Sequence, residues 1–314
     1  MTLPHLTQAQ APLTSEIDAV NEYGELHRVS IPAERALTVY VDNRELVTLM
    51  TLGANPELLV LGYLRNQRLV KQVADIESIT VDWEVGAAAV KTRHGIEDIE
   101  EKTAHRVVTT GCGQGSVFGG LMDEVDQIEL PVDACITQSQ LYGLVNTIRL
   151  KETTYKSAGS VHACALFSTA SGESEMLLFV EDVGRHNAID TIAGWMWMEE
   201  IAPTLVAART ALPPEGAAAP AARQSRIYGP DSHENAAPAL DASEVSAAAG
   251  LVFYTTGRLT SEMVIKSAQM GVPVVVSRSG ITQMGHQVAQ SVGLCTIGRA
   301  NNKRFLCYTH AERA

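Results

Sequence analysis

The sequence has no excess of basic charge, no long apolar run and no closely paired cysteines, and each lack closes off a class of function. Its 24 lysines and arginines are outnumbered by 36 acids, for a net charge of −12. That balance disfavours broad binding to nucleic acid, and no nucleic-acid partner is expected. No stretch approaches the ~18 consecutive apolar residues that a membrane helix needs. Residues 1–20 hold acids and prolines and lack a basic start followed by an apolar segment, so the expectation is a soluble cytoplasmic protein with no membrane attachment. The five cysteines (Cys112, Cys135, Cys164, Cys295, Cys307) are odd in number and far apart, with no C-x-x-C. Neither a disulfide framework nor a structural metal is expected from that spacing. No G-x-G-x-x-G follows a first strand, and G-x-x-x-x-G-K-[ST] is missing, which disfavours nicotinamide and P-loop nucleotide chemistry.

What is present reads as a globular chain of 314 residues, 46% hydrophobic and 19% charged, long enough for one large or two unequal domains. Residues 1–27 are polar and proline-bearing, an expected N-terminal arm. Residues 28–106 read as a small strand-rich domain. Leu37–Val41 and Glu45–Leu49 form strands around an Asp42-Asn43-Arg44 turn, and a helix opens at Asn55-Pro56 with Asn55 as cap. Strands follow at Ile76–Val81, Trp83–Val90 and His105–Val108. Residues 107–314 read as an α/β core. Helices are expected over Asp133–Thr147, Ala188–Ile201, Thr260–Met270 (ended by Gly271) and Thr282–Val292. Strands are expected at Glu175–Glu181, Gly250–Tyr254, Pro273–Val276, Leu294–Ile297 and Arg304–Tyr308, and Ser157–Ser168 runs from a glycine loop into a helix or strand. Short apolar strands alternating with helices indicate an α/β layer with a buried sheet. The Ala/Pro-rich segment 211–238 reads as a flexible surface insertion.

Chemistry concentrates in a few places. In V-T-T-G-C-G-Q-G-S, Cys112 sits between Gly111 and Gly113, and glycines there present a thiol to a second protein or a ligand. A tight turn around an inert thiol is the alternative. Three polar clusters, Asp182–Asn187, Thr255–Arg258 and Ser277–Thr282, follow predicted strands, where open α/β sheets bind ligands. Asp182, Arg185, His186 and Asn187 crowd into six residues, a density typical of a site. His162 follows a glycine and is either an auxiliary group or a core histidine. Arg258, with Ser261 and Lys266 near a helix start, and the basic cluster Arg299, Ala300, Asn301, Asn302, Lys303 and Arg304 are candidates to cradle phosphate.

Four ordered motifs carry a resemblance: V-E-D-V-G-R-H-N-A-I-D at 180–190, G-S-V-H-A at 159–163, T-G-R-L-T-S-E-M-V-I-K at 256–266 and R-F-L-C-Y-T-H at 304–310. Together they resemble the formate dehydrogenase accessory sulfurtransferases. The likeness spans the chain from about residue 28 and leaves out the Ala/Pro-rich insertion. It implies a core similar to the cytidine-deaminase fold. The deaminase zinc signature is missing, since no P-C-x-x-C occurs to accompany an H-x-E. It implies that Cys112 accepts sulfur as a persulfide from a cysteine desulfurase. The sulfur then passes to the molybdenum or tungsten bis(molybdopterin guanine dinucleotide) cofactor before insertion into the formate dehydrogenase catalytic subunit. It also implies a homodimer and a cleft that takes a guanine nucleotide. The family's C-G-x-C loop reads Cys112-Gly113-Gln114-Gly115 here, which removes a resolving cysteine but leaves a one-thiol mechanism. A non-catalytic cofactor-binding chaperone and a cysteine hydrolase pairing Cys112 with His162 or His186 are the alternatives.

Overall fold

The computed structural model describes residues 3–96, 99, 128–151, 154–199 and 250–314. Cys112 and Gly115, the expected strand at His105–Val108 and the 211–238 insertion lie outside them.

The first half is built on a five-stranded sheet of order β1-β6-β7-β4-β5. Its strands are β1 (His5–Leu6), β4 (Arg35–Val41), β5 (Arg44–Thr51), β6 (Ile76–Asp82) and β7 (Ala87–Thr92). Asp42 and Asn43 turn β4 into β5 with φ of 47° and 69°, the left-handed pair that a two-residue hairpin requires. The stretch expected as a strand from Trp83 starts later. Residues 83–86 instead form a turn, with Glu84 N donating to Asp82 Oδ1 at 2.8 Å. The N-terminal segment, read from sequence as an arm, carries strands. β1 pairs parallel to β6, while β2 (Thr14–Val20) and β3 (Leu26–Pro32) make a separate antiparallel ribbon.

Helix α1 (Pro56–Asn66) leaves the first sheet with Pro56 in its first turn. Asn55 holds the capping position, but its side chain makes no capping hydrogen bond. Nine of its eleven residues are buried, because it is enclosed on two sides. One side covers the first sheet through Leu59, Val60, Leu61 and Leu64. The other meets α4 (Arg185–Met198). The crossing is close: a Cβ on Gly62 would lie 1.6 Å from the Asp190 carbonyl oxygen, and one on Gly194 would lie 2.0 Å from that of Leu58. Only glycine lets the two backbones meet this way.

The second half is a six-stranded sheet of order β13-β12-β11-β10-β8-β9. It comprises β8 (His162–Ser168), β9 (Glu175–Asp182), β10 (Leu251–Thr255), β11 (Val274–Ser277), β12 (Cys295–Asn301) and β13 (Arg304–Thr309). β10, β11 and β12 run parallel, and β8, β9 and β13 are antiparallel to their neighbours. Alternate residues divide between two cores. Phe253, Val275 and Leu166 face α4, α5 (Ser261–Gln269) and α6 (Gln283–Ser291). Tyr254, Val274 and Phe167 face α2 (Gln138–Lys151). This is the α/β sandwich expected from sequence. The helix predicted from Asp133 begins at Gln138 because Thr137 and Gln140 cap it reciprocally. Thr137 N donates to Gln140 Oε1 at 2.8 Å, and Gln140 N to Thr137 Oγ1 at 3.3 Å. A short helix, α3 (Thr154–Ala158), precedes β8.

Candidate functional site

The parallel strands end in register, with Thr255 beside Ser277 and Val276 beside Ile297. Backbone bonds carry the pairing past the strand ends. Arg278 N donates to Thr255 O at 3.0 Å and Arg299 N to Ser279 O at 2.7 Å. Side-chain hydroxyls lace the same loops: Ser277 Oγ donates to Gly257 O at 2.6 Å, and Thr255 Oγ1 accepts from Gly257 N at 3.1 Å. Three exposed arginines therefore line up here: Arg258 and Arg278 just past the carboxyl ends of β10 and β11, and Arg299 within β12 beside Ser279. The Arg278 guanidinium sits 5.5 Å from the Tyr155 ring centre. Glu181 holds Tyr155 in place by accepting from Thr154 N at 2.8 Å and Tyr155 N at 3.0 Å.

The Asp182–Asn187 run lies just beneath. Asp182 ends β9 and is 3% exposed. Its Oδ2 accepts from Thr51 Oγ1 at 2.6 Å and Leu52 N at 3.1 Å. Its Oδ1 accepts from Gly184 N at 3.0 Å and Asn187 Nδ2 at 2.7 Å. Burial pushes its carboxyl above the usual range against those four donors. Asn187 also donates to Met50 O at 2.6 Å. These two residues join the end of β5 to the start of α4, so their polar atoms serve the protein's own backbone. Arg185, 6% exposed, passes under the Thr255–Arg258 loop, where a Cβ on Gly257 would come within 2.7 Å of Arg185 Cδ.

His186 faces inward and begins a buried chain of charges. Its Nε2 lies 3.2 Å from Glu262 Oε2, Lys266 Nζ lies 3.4 Å from Glu262 Oε1 and 2.9 Å from Asp190 Oδ2, and Asn66 Nδ2 donates to Asp190 Oδ1 at 2.7 Å. Burial opposes the Lys266 ammonium, but Asp190 and Glu262 outweigh it and hold its pKa above the ordinary lysine value. Lys266, grouped from sequence with a phosphate cradle, is 1% exposed and belongs instead to this network, which ties α1, α4 and α5.

His162 is half-buried beside Asp182 in the β8–β9 ladder. Burial, then Arg185 and Arg258, push its pKa below the ordinary histidine value. The neighbouring Cys164 thiol is pushed up to about 12 by burial, which makes it inert. The basic cluster at the end of the chain divides. Arg299 stands beside the Ser279 loop. Asn302 and Lys303 reach the β12–β13 turn and line a groove of about 240 Å³ with Tyr142, Val145, Asn146 and Arg149 of α2. Ala300 is 1% exposed in the core facing α2, so it has only backbone to offer a ligand. Asn301 and Arg304 pair across the turn and are exposed. Among the described residues no three His, Cys, Asp or Glu side chains gather as metal ligands.

Tyr155, Glu181, Glu262 and Asp190 escaped the sequence reading. Glu181, Asp190 and Glu262 lie inside the resembling motifs, which was the available signal; Tyr155 carried none.

Comparison with known proteins gives a consistent answer. The profile of the FdhD/NarQ family matches residues 32–210 and 241–314. The Bacillus subtilis protein named sulfur carrier protein FdhD is 27% identical over 301 residues, covering 93% of this chain and 94% of its own. Its Bacillus pumilus namesake is 26% identical over 286 residues, covering 89% and 88%. A Desulfotalea psychrophila crystal structure, designated a formate dehydrogenase accessory protein, superposes with a TM-score of 0.67 at 19% identity. It covers 96% of this chain and 99% of its own, and the two share a fold.

Proposed function

We infer, from the premise that this chain belongs to the FdhD/NarQ family, that it is a sulfur carrier serving formate dehydrogenase maturation. Cys112 is the carrier atom. Its thiolate attacks the terminal sulfur of a cysteine desulfurase persulfide, the donor cysteine leaves as thiolate, and the sulfur stays on Cys112 as a persulfide. The recipient is the molybdenum or tungsten bis(molybdopterin guanine dinucleotide), a substrate of the carrier, destined for the formate dehydrogenase catalytic subunit.

The observation that carries this reading is the row of exposed Arg258, Arg278 and Arg299 along the side-by-side strands β10, β11 and β12. A dinucleotide bears several phosphates, and guanidinium forks match their oxygens two at a time. Arg304, Lys303, Asn302 and Asn301 extend the row along the β12–β13 turn, with the Ala300 backbone between. Asp182, Arg185, His186 and Asn187 act as positioning residues, and His162 is the auxiliary group nearest the row.

The strand order β9-β8-β10-β11-β12, a hairpin followed by three parallel strands, supports a cytidine-deaminase-like core for residues 107–314. Residues 28–106 form the small strand-rich domain, and 1–27 an N-terminal segment whose β1 adds to that domain's sheet. Cytoplasmic location and a homodimer belong to the same proposal.

The test is mass spectrometry after incubation with a cysteine desulfurase and cysteine. One extra sulfur atom on Cys112, removed by reductant and lost in Cys112→Ala, is expected. A wild-type chain that takes up no sulfur there sinks the carrier reading. It would favour a chaperone that binds the cofactor without handling sulfur, which Gly115 in place of a second loop cysteine would suit.

A further inference from the structure

The β12–β13 hairpin brings together two thiols that the carrier chemistry leaves unused. Cys295 Sγ lies 4.0 Å from Cys307 Sγ. Both side chains face α2, Cys295 inside that core and Cys307 packed against it. Cys295 is fully buried, whereas Cys307 is half-buried on a strand at the sheet's edge. The strands are irregular here: Thr296 pairs with Thr309 but Ile297 with Cys307, and pairing slips again between Gly298 and Asn301. A bulged edge strand has room to shift. Bonding distance for two sulfurs is about 2 Å, so closure asks for a further approach of roughly that size.

We propose that Cys295 and Cys307 form a second thiol site, a pair that a peroxide converts into an intramolecular disulfide. Cys307 Sγ attacks one peroxide oxygen, the O–O bond breaks, and the departing hydroxide takes the Cys307 proton to leave as water. Cys295 Sγ then attacks the resulting sulfenic sulfur. The S–S bond forms, the S–O bond breaks, and the second hydroxide leaves as water with the Cys295 proton. The peroxide gains two electrons, one from each sulfur.

The order of attack follows from the surroundings. Cys307 is the thiol an oxidant can reach. The hydrogen bond between the two sulfurs holds the Cys307 pKa below the usual thiol value and pushes Cys295 above it. Closing the bond would pin the base of the hairpin whose turn bears Asn302 and Lys303, so the redox state of the pair sets how firmly that turn is held. The inference rests on the hairpin alone and stands or falls independently of Cys112.

The experiment is peptide mapping of the full chain after hydrogen peroxide, with remaining thiols trapped by maleimide under denaturing conditions. Trypsin cuts at Arg299, Lys303 and Arg304 between the two cysteines, so a cross-link joins two separate peptides. A Cys295–Cys307 peptide pair, two hydrogens lighter and split by dithiothreitol, is the expected result. Cys307→Ser should leave Cys295 available to maleimide; should that variant not fold, the wild-type map decides alone. Oxidised wild type in which Cys295 is fully trapped by maleimide, with Cys307 overoxidised or joined to another cysteine, overturns the proposal.

Discussion

Replacing Asp182 by asparagine distinguishes a structural joint from a ligand contact. All four groups around the carboxylate are donors: Thr51 Oγ1, Leu52 N, Gly184 N and Asn187 Nδ2. An amide of the same shape must aim its own N–H₂ at two of them, whichever way it turns. Thr51 can rotate to another acceptor, Asn187 keeps Met50 O, and half-buried Gly184 can meet water. Leu52, fully buried, can do neither. The amide therefore turns its oxygen to Thr51 and Leu52 and its N–H₂ to Gly184 and Asn187, giving up two hydrogen bonds to a charged group at about 1.5–3 kcal/mol each. Relief of carboxylate desolvation offsets part of the loss. The net expectation is destabilisation of about 2–4 kcal/mol, or roughly 4–10 °C in melting temperature, measured by circular dichroism without ligand. Asp182→Ala should fall in the same range. If Asp182→Asn instead melts with wild type while losing guanine-nucleotide binding, the joint is not the role of this carboxylate and the reasoning fails.

Two glycines should respond to alanine in opposite directions. Gly62→Ala drives a methyl into the Asp190 carbonyl, and overpacking of about 1–3 kcal/mol outweighs a helix-propensity gain of at most about 1. Gly143 of α2 has open space around its Cβ position, so Gly143→Ala should raise stability by up to about 1 kcal/mol; denaturant melts read both. Lys266→Met strands the buried Asp190 and Glu262 carboxylates and should cost about 3–5 kcal/mol, unless urea titration finds it neutral. His162 has a folded-state pKa below the unfolded 6.5, so the unfolded chain takes the proton first as pH falls. Its contribution to stability should therefore shrink below about pH 6.5 and on down through the folded value. His162→Gln should flatten that part of the stability–pH curve.

Local pattern made much of the fold readable. Short apolar strands, the Asp42-Asn43 turn and Gly271 at the end of α5 all lie where the chain's own neighbours dictate, and the polar clusters at the ends of β10 and β11 followed from strand direction. Thr137-x-x-Gln140 was also readable as a capping box, yet the apolar spacing from Asp133 suggested an earlier start. Pairings across long separations were not legible. Thr51 and Asp182 stand 131 positions apart, and nothing local to either names the other. The same holds for Asn66 with Asp190, and for the crossing at Gly62 and Gly194, where each glycine alone reads as a helix weakness. Cys295 and Cys307 were countable but looked distant, because only a hairpin turn at residues 302–303 folds one onto the other.

This difference explains why V-E-D-V-G-R-H-N-A-I-D is so distinctive while offering a ligand little open surface. Asp182 and Asn187 spend their polar atoms on β5, Asp190 spends its own on α1 and α5, and His186 turns to Glu262. Arg185 runs under a loop that only Gly257 lets it approach. Nearly every polar residue of the run fixes one neighbouring element, and those elements meet beneath the Arg258 loop. Exposed charge is then supplied above the run, from loops at Arg258 and Arg278 and from β12 at Arg299. A guanidinium row is useful to a polyphosphate only if its spacing persists without the ligand, because ordering long side chains on binding would cost affinity. The buried joint supplies that persistence. Substitutions within it should therefore weaken ligand binding in proportion to the stability they remove, whereas substitutions in the arginine row should weaken binding and leave melting temperature unchanged.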